Sequence, residues 1–265
     1  MQTIWGGILT NIDNLKMIDI STSIAWIGAV CYTLQIYFDF SGYSDMAIGL
    51  GMMFGFNFSK NFDLPYTSRS ISEFWRRWHI SLGTWFREYV YIPLGGNRKG
   101  QIRTNINLLL VFVLTGIWHG ANVSFLLWGL YYGVLIVFEK LFLKKKYKGI
   151  QIIGMLYTLF FVTIGWVLFR NDSLLYSLAW IKRMVLPWRY LVSDYSVLEL
   201  MNNMQVFFLV IGILLCGLMQ RAVRHIRVKA VIPIAAKRSV QFCIVTISLL
   251  MLAGSSYNPF IYFRF

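Results

Sequence analysis

The chain is short of charge. Only 14% of its 265 residues are Asp, Glu, Lys or Arg, against about 25% in an ordinary soluble domain. That leaves little with which to cover a water-facing surface, and it excludes a soluble enzyme and a disordered chain. Acids are scarcer still, 11 against 25 bases, for a net charge of +14. The three cysteines, Cys31, Cys216 and Cys243, lie in or beside apolar stretches with no CxxC pair. A disulfide scaffold is thereby excluded, and the cysteines read as small buried hydrophobes. The chain shows no internal repeat, no G-x-S-x-G elbow, P-loop or HExxH, and no Cys/His cluster at metal-ligand spacing, so no metal is expected. Gly49-Leu-Gly51 with Gly55 misses the dinucleotide fingerprint by a residue. Residues 1–7 carry no basic n-region and no cleavage signature, so no signal peptide is expected.

What remains is strongly apolar: 57% hydrophobic and 17% aromatic, with a mean hydropathy of +0.59. The excess comes in long runs at 108–114, 123–138, 206–218 and 242–253. A bilayer-crossing helix needs about 20 mostly apolar residues. The expected fold is all-α: a polytopic membrane protein of about six to seven transmembrane or membrane-embedded helices plus an amphipathic interfacial helix. Spans are expected at 20–40, 123–138, 150–169, 206–219 and 240–256, and shorter apolar helices at 47–58 and 105–118. An amphipathic helix is expected at 70–91, a polar loop at 95–103, and surface-lying pieces between 170 and 204. Gly51–Gly55 and Gly129–Gly133 are expected to pack helices closely.

Nucleic-acid binders also run basic, but on a solvated face. Here the bases gather in short loops beside apolar runs, so membrane lipid is the expected surface and nucleic acid is excluded. One cluster is Lys140, Lys144, Lys145, Lys146 and Lys148; another holds Arg221, Arg224, Arg227, Lys229, Lys237 and Arg238. Two spans separate them, so both fall on one face, and the positive-inside rule makes it cytoplasmic. Arg98, Lys99 and Arg103 agree in parity. At 1.5 Å per residue a helix over 105–118 would reach only about 21 Å, short of a hydrocarbon core of roughly 30 Å. His119, in the break Gly116-Ile-Trp-His-Gly-Ala121, would then lie at membrane depth.

Of the three histidines, His225 sits among loop bases and reads as surface charge. His119 is either a core histidine bonded to a carbonyl or a functional group, because ionisable residues inside membranes are costly and rare. A buried neutral imidazole can serve as a general base. His79 belongs to the 70–91 helix, whose start carries the capping-box spacing Ser70-Ile-Ser-Glu73. On a helical wheel Phe74, Trp75, Trp78, Leu82, Trp85, Phe86 and Tyr89 share one arc, with Glu73, Arg76, Arg77, Thr84, Arg87 and Glu88 opposite. A scaffold helix lying on the surface explains that stripe. The concentration of Arg76, Arg77, His79, Arg87 and Glu88 would also suit an anionic, phosphate-bearing ligand. Asp39 and Asp45 are either pathway residues or a helix-end hydrogen-bonding cluster.

Three segments carry a resemblance: Phe74-Trp-Arg-Arg-Trp-His-Ile-Ser-Leu82, Tyr91-Ile-Pro-Leu-Gly-Gly-Asn-Arg-Lys-Gly100 and Gly116-Ile-Trp-His-Gly-Ala121. They resemble the signature segments of membrane-bound O-acyltransferases, in the bacterial alginate O-acetyltransferase branch, as do residues 37–45 and 258–265. The resemblance implies that His119 is catalytic with His79 nearby. His119 and His79 are thus the expected catalytic residues, and Trp118, Asn122, Arg76, Arg77, Arg87, Glu88 and Asp39 are the residues expected to bind substrate. The resemblance implies a donor such as acetyl-CoA or another acyl thioester, with no tightly bound cofactor. It further implies an exported polysaccharide acceptor, a periplasmic or extracellular acetyltransferase partner, and the inner (cytoplasmic) membrane as location. Residues 1–265 would be the C-terminal portion of one transmembrane domain, with 105–139 as the catalytic helical pair, and this portion alone is expected to be inactive. Two alternatives are D-alanyl transfer to teichoic acid from a carrier protein and a polysaccharide transport or assembly subunit without chemistry.

Overall fold

The computed structural model describes residues 2–143, 151–191, 193–218 and 234–253. The expected lysines at 144–148, the bases at 221–229 with His225, and the ending at 258–265 lie outside the described residues. Within them the chain forms ten α-helices and no strand, as the all-α expectation requires. They are α1 (Gln2–Asp13), α2 (Thr22–Met53), α3 (Ile71–Arg77), α4 (Ile80–Phe86), α5 (Gly100–His119), α6 (Val123–Phe138), α7 (Gln151–Arg170), α8 (Leu174–Val185), α9 (Asn203–Ile213) and α10 (Ile234–Ala253). Single π-helical turns extend α4 over Arg87–Tyr91, α6 over Glu139–Leu143 and α9 over Leu214–Leu218. By length and composition, α5, α6 with its extension, and α7 can each cross a membrane.

Helix α7 runs through the middle, packed against α2, α6 and α8, with Val162, Trp166, Val167 and Phe169 buried. Lipid tails are as apolar as leucine, so apolar burial alone holds membrane helices together weakly. Close approach and interhelical hydrogen bonds must add to it. The Tyr131 hydroxyl donates to the Phe161 carbonyl at 2.8 Å and the Trp180 indole to the Ala25 carbonyl at 3.0 Å. Such bonds contribute on average about 0.6 kcal/mol each. The closest approach is between α5 and α6: a Cβ on Gly116 would strike the Phe125 carbonyl oxygen, and one on Gly129 the Phe112 carbonyl oxygen. Gly129–Gly133 thus packs as expected. Gly51–Gly55 does not: the Phe58 ring fills the space beside Gly51, and Gly55 follows the end of α2 with a φ of +82°. Without Cβ–carbonyl repulsion, glycine takes that conformation at little cost.

Three expectations about elements are corrected. Helix α2 has 32 residues and runs unbroken through Asp39 and Asp45, where two helices were expected. The polar loop before α5 is shorter than expected, so α5 has 20 residues and spans about 30 Å. It is long enough to cross, and the argument for the depth of His119 from a short helix fails. The 70–91 segment is not one helix. It breaks at Trp78 and His79, and His79 takes a left-handed conformation with φ 46° and ψ 55°.

The break is bridged from outside. The Asp63 amide donates to the Arg77 carbonyl at 2.9 Å, and the Ile80 amide to the Asn61 carbonyl at 2.9 Å. Segment 61–63 thereby replaces bonds that an unbroken helix would make to itself, as buried backbone groups require. Rotation across the break splits the expected apolar arc. Phe74, Trp78 and Phe86 are buried, while Trp85 and Tyr89 are exposed.

Candidate active site

His119 ends α5. Gly120 behind it has φ +154°, and a Cβ there would lie 2.9 Å from the Phe125 ring, so the chain turns where only glycine fits. Asn122 then caps α6, its side-chain oxygen accepting from the Ser124 amide at 3.1 Å and its amide donating to the Asp172 carbonyl at 3.0 Å. The imidazole of His119 is half-buried among rings, with centroids 4.9 Å from Trp118, 5.0 Å from Phe169 and 5.2 Å from Trp128. An apolar cage of this kind keeps bulk water off the ring while leaving one side open to a cavity.

That cavity, about 220 Å³, is lined by His119, His79, Asp39, Tyr43 and Trp118 together with Trp75, Trp78 and Leu82. A second and larger cavity, about 680 Å³, lies beyond His79, Trp75, Trp78 and Leu82, which line both. Its polar lining includes Arg69, Ser72, Arg76, Asn97, Glu139 and Lys140. The two histidines expected from sequence therefore meet at one site, with His79 in the wall between two chambers.

His79 is held at one nitrogen. Its Nδ1 lies 3.2 Å from Asn61 Oδ1 and 3.3 Å from Ser81 Oγ, and its Nε2 is buried with no hydrogen-bond partner. Burial pushes the imidazole down to about 4, because taking an ion out of water disfavours the charged form. The ring is neutral at ordinary pH. Helix α3, which carries the residues before His79, is anchored by Glu139 from the turn after α6. Its carboxylate accepts from the Ile71 amide at 2.5 Å and from the Ser72 amide and hydroxyl at 2.9 and 2.8 Å. Three donors, two of them at a helix start, satisfy a buried anion. The expected cap also forms: Ser70 Oγ accepts from the Glu73 amide at 3.0 Å, while Glu73 reaches back to the Arg69 amide at 2.8 Å.

The other expected contact residues divide. Asp39 and Trp118 line the small cavity and Arg76 the large one; one Asp39 carboxylate oxygen is buried without a partner. Arg77 lines neither. It pairs with Glu73 at 2.6 Å and donates to Thr67 Oγ1 at 3.2 Å. Arg87 and Glu88 are exposed on the π-helical turn, outside both linings. Asn122 lies outside both as well, and its amide is used at both ends by the fold. Asn61, Ser81 and Glu139 were missed in the sequence. Ser81 stands inside the segment Phe74–Leu82 without being singled out, and Glu139 left a trace as a lone acid at the end of an apolar run; Asn61 in Lys60-Asn-Phe-Asp63 looks like any loop polar residue.

A model of the membrane-bound O-acyltransferase family matches residues 9–178. The protein of Pseudomonas putida named "Probable alginate O-acetylase AlgI" is 40% identical over 263 residues, 92% of this chain and 54% of its own length. Its namesake in Pseudomonas aeruginosa is 51% identical over 161 residues, 60% of this chain and 31% of its own length. The peptidoglycan O-acetyltransferase of Helicobacter pylori is 41% identical over 174 residues, 64% of this chain and 33% of its own length. Where the match covers most of this chain, it spans about half the length of the relative.

Proposed function

Because this chain belongs to the membrane-bound O-acyltransferase family, we propose that it carries the reaction site of a multi-pass membrane enzyme. The enzyme moves an acetyl group from an acyl thioester to a hydroxyl of an exported, alginate-like polysaccharide. The observation that carries this reading is the pair of cavities meeting at His79, with His119 in the smaller. Acyl transfer between two substrates that arrive from different sides needs two entrances and one meeting point.

His119 accepts the proton of the acceptor hydroxyl as its oxygen attacks the thioester carbonyl. The tetrahedral intermediate collapses with cleavage of the C–S bond, and the departing thiolate takes the proton back from His119. One ester forms, one thioester is lost, and a free thiol leaves. Arg69, Arg76 and Lys140 on the larger cavity suit a phosphate-bearing donor such as acetyl-CoA. Lys140 also opens the lysine run that the positive-inside rule assigns to the cytoplasm, which supports donor entry from that face and a place in the inner membrane. A periplasmic or extracellular acetyltransferase partner would pass the group on where the polymer does not itself reach the small cavity.

The test is His119→Ala at the chromosomal locus. Positioned acid–base groups contribute about 10²–10⁴-fold, so acetyl groups on the exported polymer should fall to background while protein abundance in the membrane holds. Wild-type acetylation in that variant would end the assignment.

A further inference from the structure

Asn61 lies on the segment that bridges the α3–α4 break, and its side-chain amide can be oriented without reference to His79. The Ser81 amide N–H can only donate, and it meets Asn61 at 3.1 Å, so the atom facing it is the oxygen. The Ser81 hydroxyl meets the same oxygen at 2.9 Å. At the other end the Asn61 Nδ2 donates to Ser44 Oγ at 3.1 Å. The oxygen so placed is the one 3.2 Å from His79 Nδ1. An acceptor on one side demands a proton on the other, since two lone pairs would otherwise face each other. The Ser81 hydroxyl, 3.3 Å from Nδ1, gives its single proton to the nearer Asn61 oxygen and so offers Nδ1 a second acceptor. A neutral imidazole has one N–H. With that proton on Nδ1, Nε2 carries a lone pair.

We propose that Asn61 is a positioning residue that holds His79 as the Nδ1–H tautomer, so that Nε2 accepts a hydrogen bond from the hydroxyl-bearing acceptor in the small cavity. Asn61 also fixes the ring's place, because its backbone carbonyl takes the Ile80 amide and so maintains the left-handed turn at His79. The unpartnered, buried Nε2 is the acceptor this arrangement leaves over. The identity of the hydrogen-bond donor rests on the acetyl-transfer reading; the tautomer does not. Other titratable groups around His79 are Asp39 and Tyr43 from α2 and His119 from α5 in the small cavity. Arg69, Arg76 from α3, Tyr91, Tyr157 from α7, and Glu139 and Lys140 after α6 line the large one. All of these stay in place when only residue 61 is changed.

The experiment compares wild type, Asn61→Asp and Asn61→Leu, with ¹⁵N-labelled histidine observed by solid-state NMR of the full chains in membranes and polymer acetylation measured against pH in cells carrying each variant at the chromosomal locus. In the wild type, the His79 signal, identified by its loss in His79→Gln, should show protonated Nδ1 and bare Nε2 at neutral pH. In Asn61→Asp a carboxylate takes the oxygen's place and favours the imidazolium, which raises the pH at which His79 titrates by about 1–3 units. Protonation removes the Nε2 lone pair, so the acid limb of the acetylation profile should move up with it. Asn61→Leu should lose the tautomer preference and at least tenfold in acetylation; where it does not accumulate, the other two proteins decide. A wild-type ring protonated at Nε2, or Asn61→Asp titration and acetylation curves that overlay the wild type, would overturn the proposal. Absent acetylation in the wild type would sink the activity reading alone, since the NMR result stands without it.

Discussion

His119 and His79 share a cavity, yet the two regions that present them are built differently. Around His119 most of the work is done by chain neighbours, with Phe169 of α7 completing the ring cage. Helices α5 and α6 are consecutive, cross at Gly116 and Gly129, and are joined by a turn that Gly120 permits and Asn122 caps. Around His79 the work is done at a distance: segment 61–63 bridges a break in the helix, Asn61 takes the ring nitrogen, and Glu139 pins the start of α3. A hairpin of adjacent helices needs only local chemistry and a smooth contact face. A broken helix needs partners whose arrival no local pattern announces.

The sharpest way to break this comparison is at the hairpin. Gly129→Leu places a side chain where the Phe112 carbonyl stands, and neither backbone can yield. Overpacking typically costs about 1–3 kcal/mol, and a clash against backbone belongs at the upper end or beyond. The expected outcome is loss of most folded protein from the membrane, read by immunoblot and size-exclusion in detergent. Normal accumulation would mean that the close crossing is not what holds His119.

The distant tie is tested by Glu139→Ala. It leaves the Ile71 and Ser72 amides without their acceptor, at about 1–3 kcal/mol for each group left buried and unpaired. Thermal unfolding in detergent should show a lower midpoint, with Glu139→Gln in between because one carbonyl oxygen remains. A midpoint equal to wild type would show that α3 is positioned without α6. The smallest effect separates two arginines that look alike in sequence. Arg76→Ala should raise the donor KM by about ten- to a hundredfold, in keeping with about 1.5–3 kcal/mol for a charge-assisted hydrogen bond, whereas Arg87→Ala should stay within twofold. Equal effects would show that the large cavity does not receive the donor.

Much of this was legible beforehand. Scarce charge and long apolar runs gave an all-α membrane chain, the 123–138 helix appears with its expected bounds, and Gly129–Gly133 packs as the spacing implies. The signature around His119 was readable because residues close in sequence make it. The 70–91 helix misled because its amphipathic periodicity is real on each side of the break. A periodic pattern says which face is apolar, and it is silent about a turn in which one residue adopts φ 46°. Reading Arg76, Arg77, Arg87 and Glu88 as one contact group misled for a related reason. They form one polar stripe on paper, while the break and the π-helical turn send Arg76 to the large cavity, Arg77 to Glu73 and the other two to the outside.

Sequence alone determined the solvent: a chain with so few charges cannot face water over most of its area, and that follows from composition without reference to any contact. It also singled out His79 and His119 as candidates for chemistry, because ionisable groups inside a membrane are costly and rare. Tertiary structure alone decided which of them meet. Asn61, His79, His119 and Asp39 come from separate stretches of the chain, and the short hydrogen bonds and cavity walls that join them depend on helix directions set by packing. The strained conformation of His79 persists for the same reason: its neighbours hold it in place against a local preference of about 1–3 kcal/mol for another geometry.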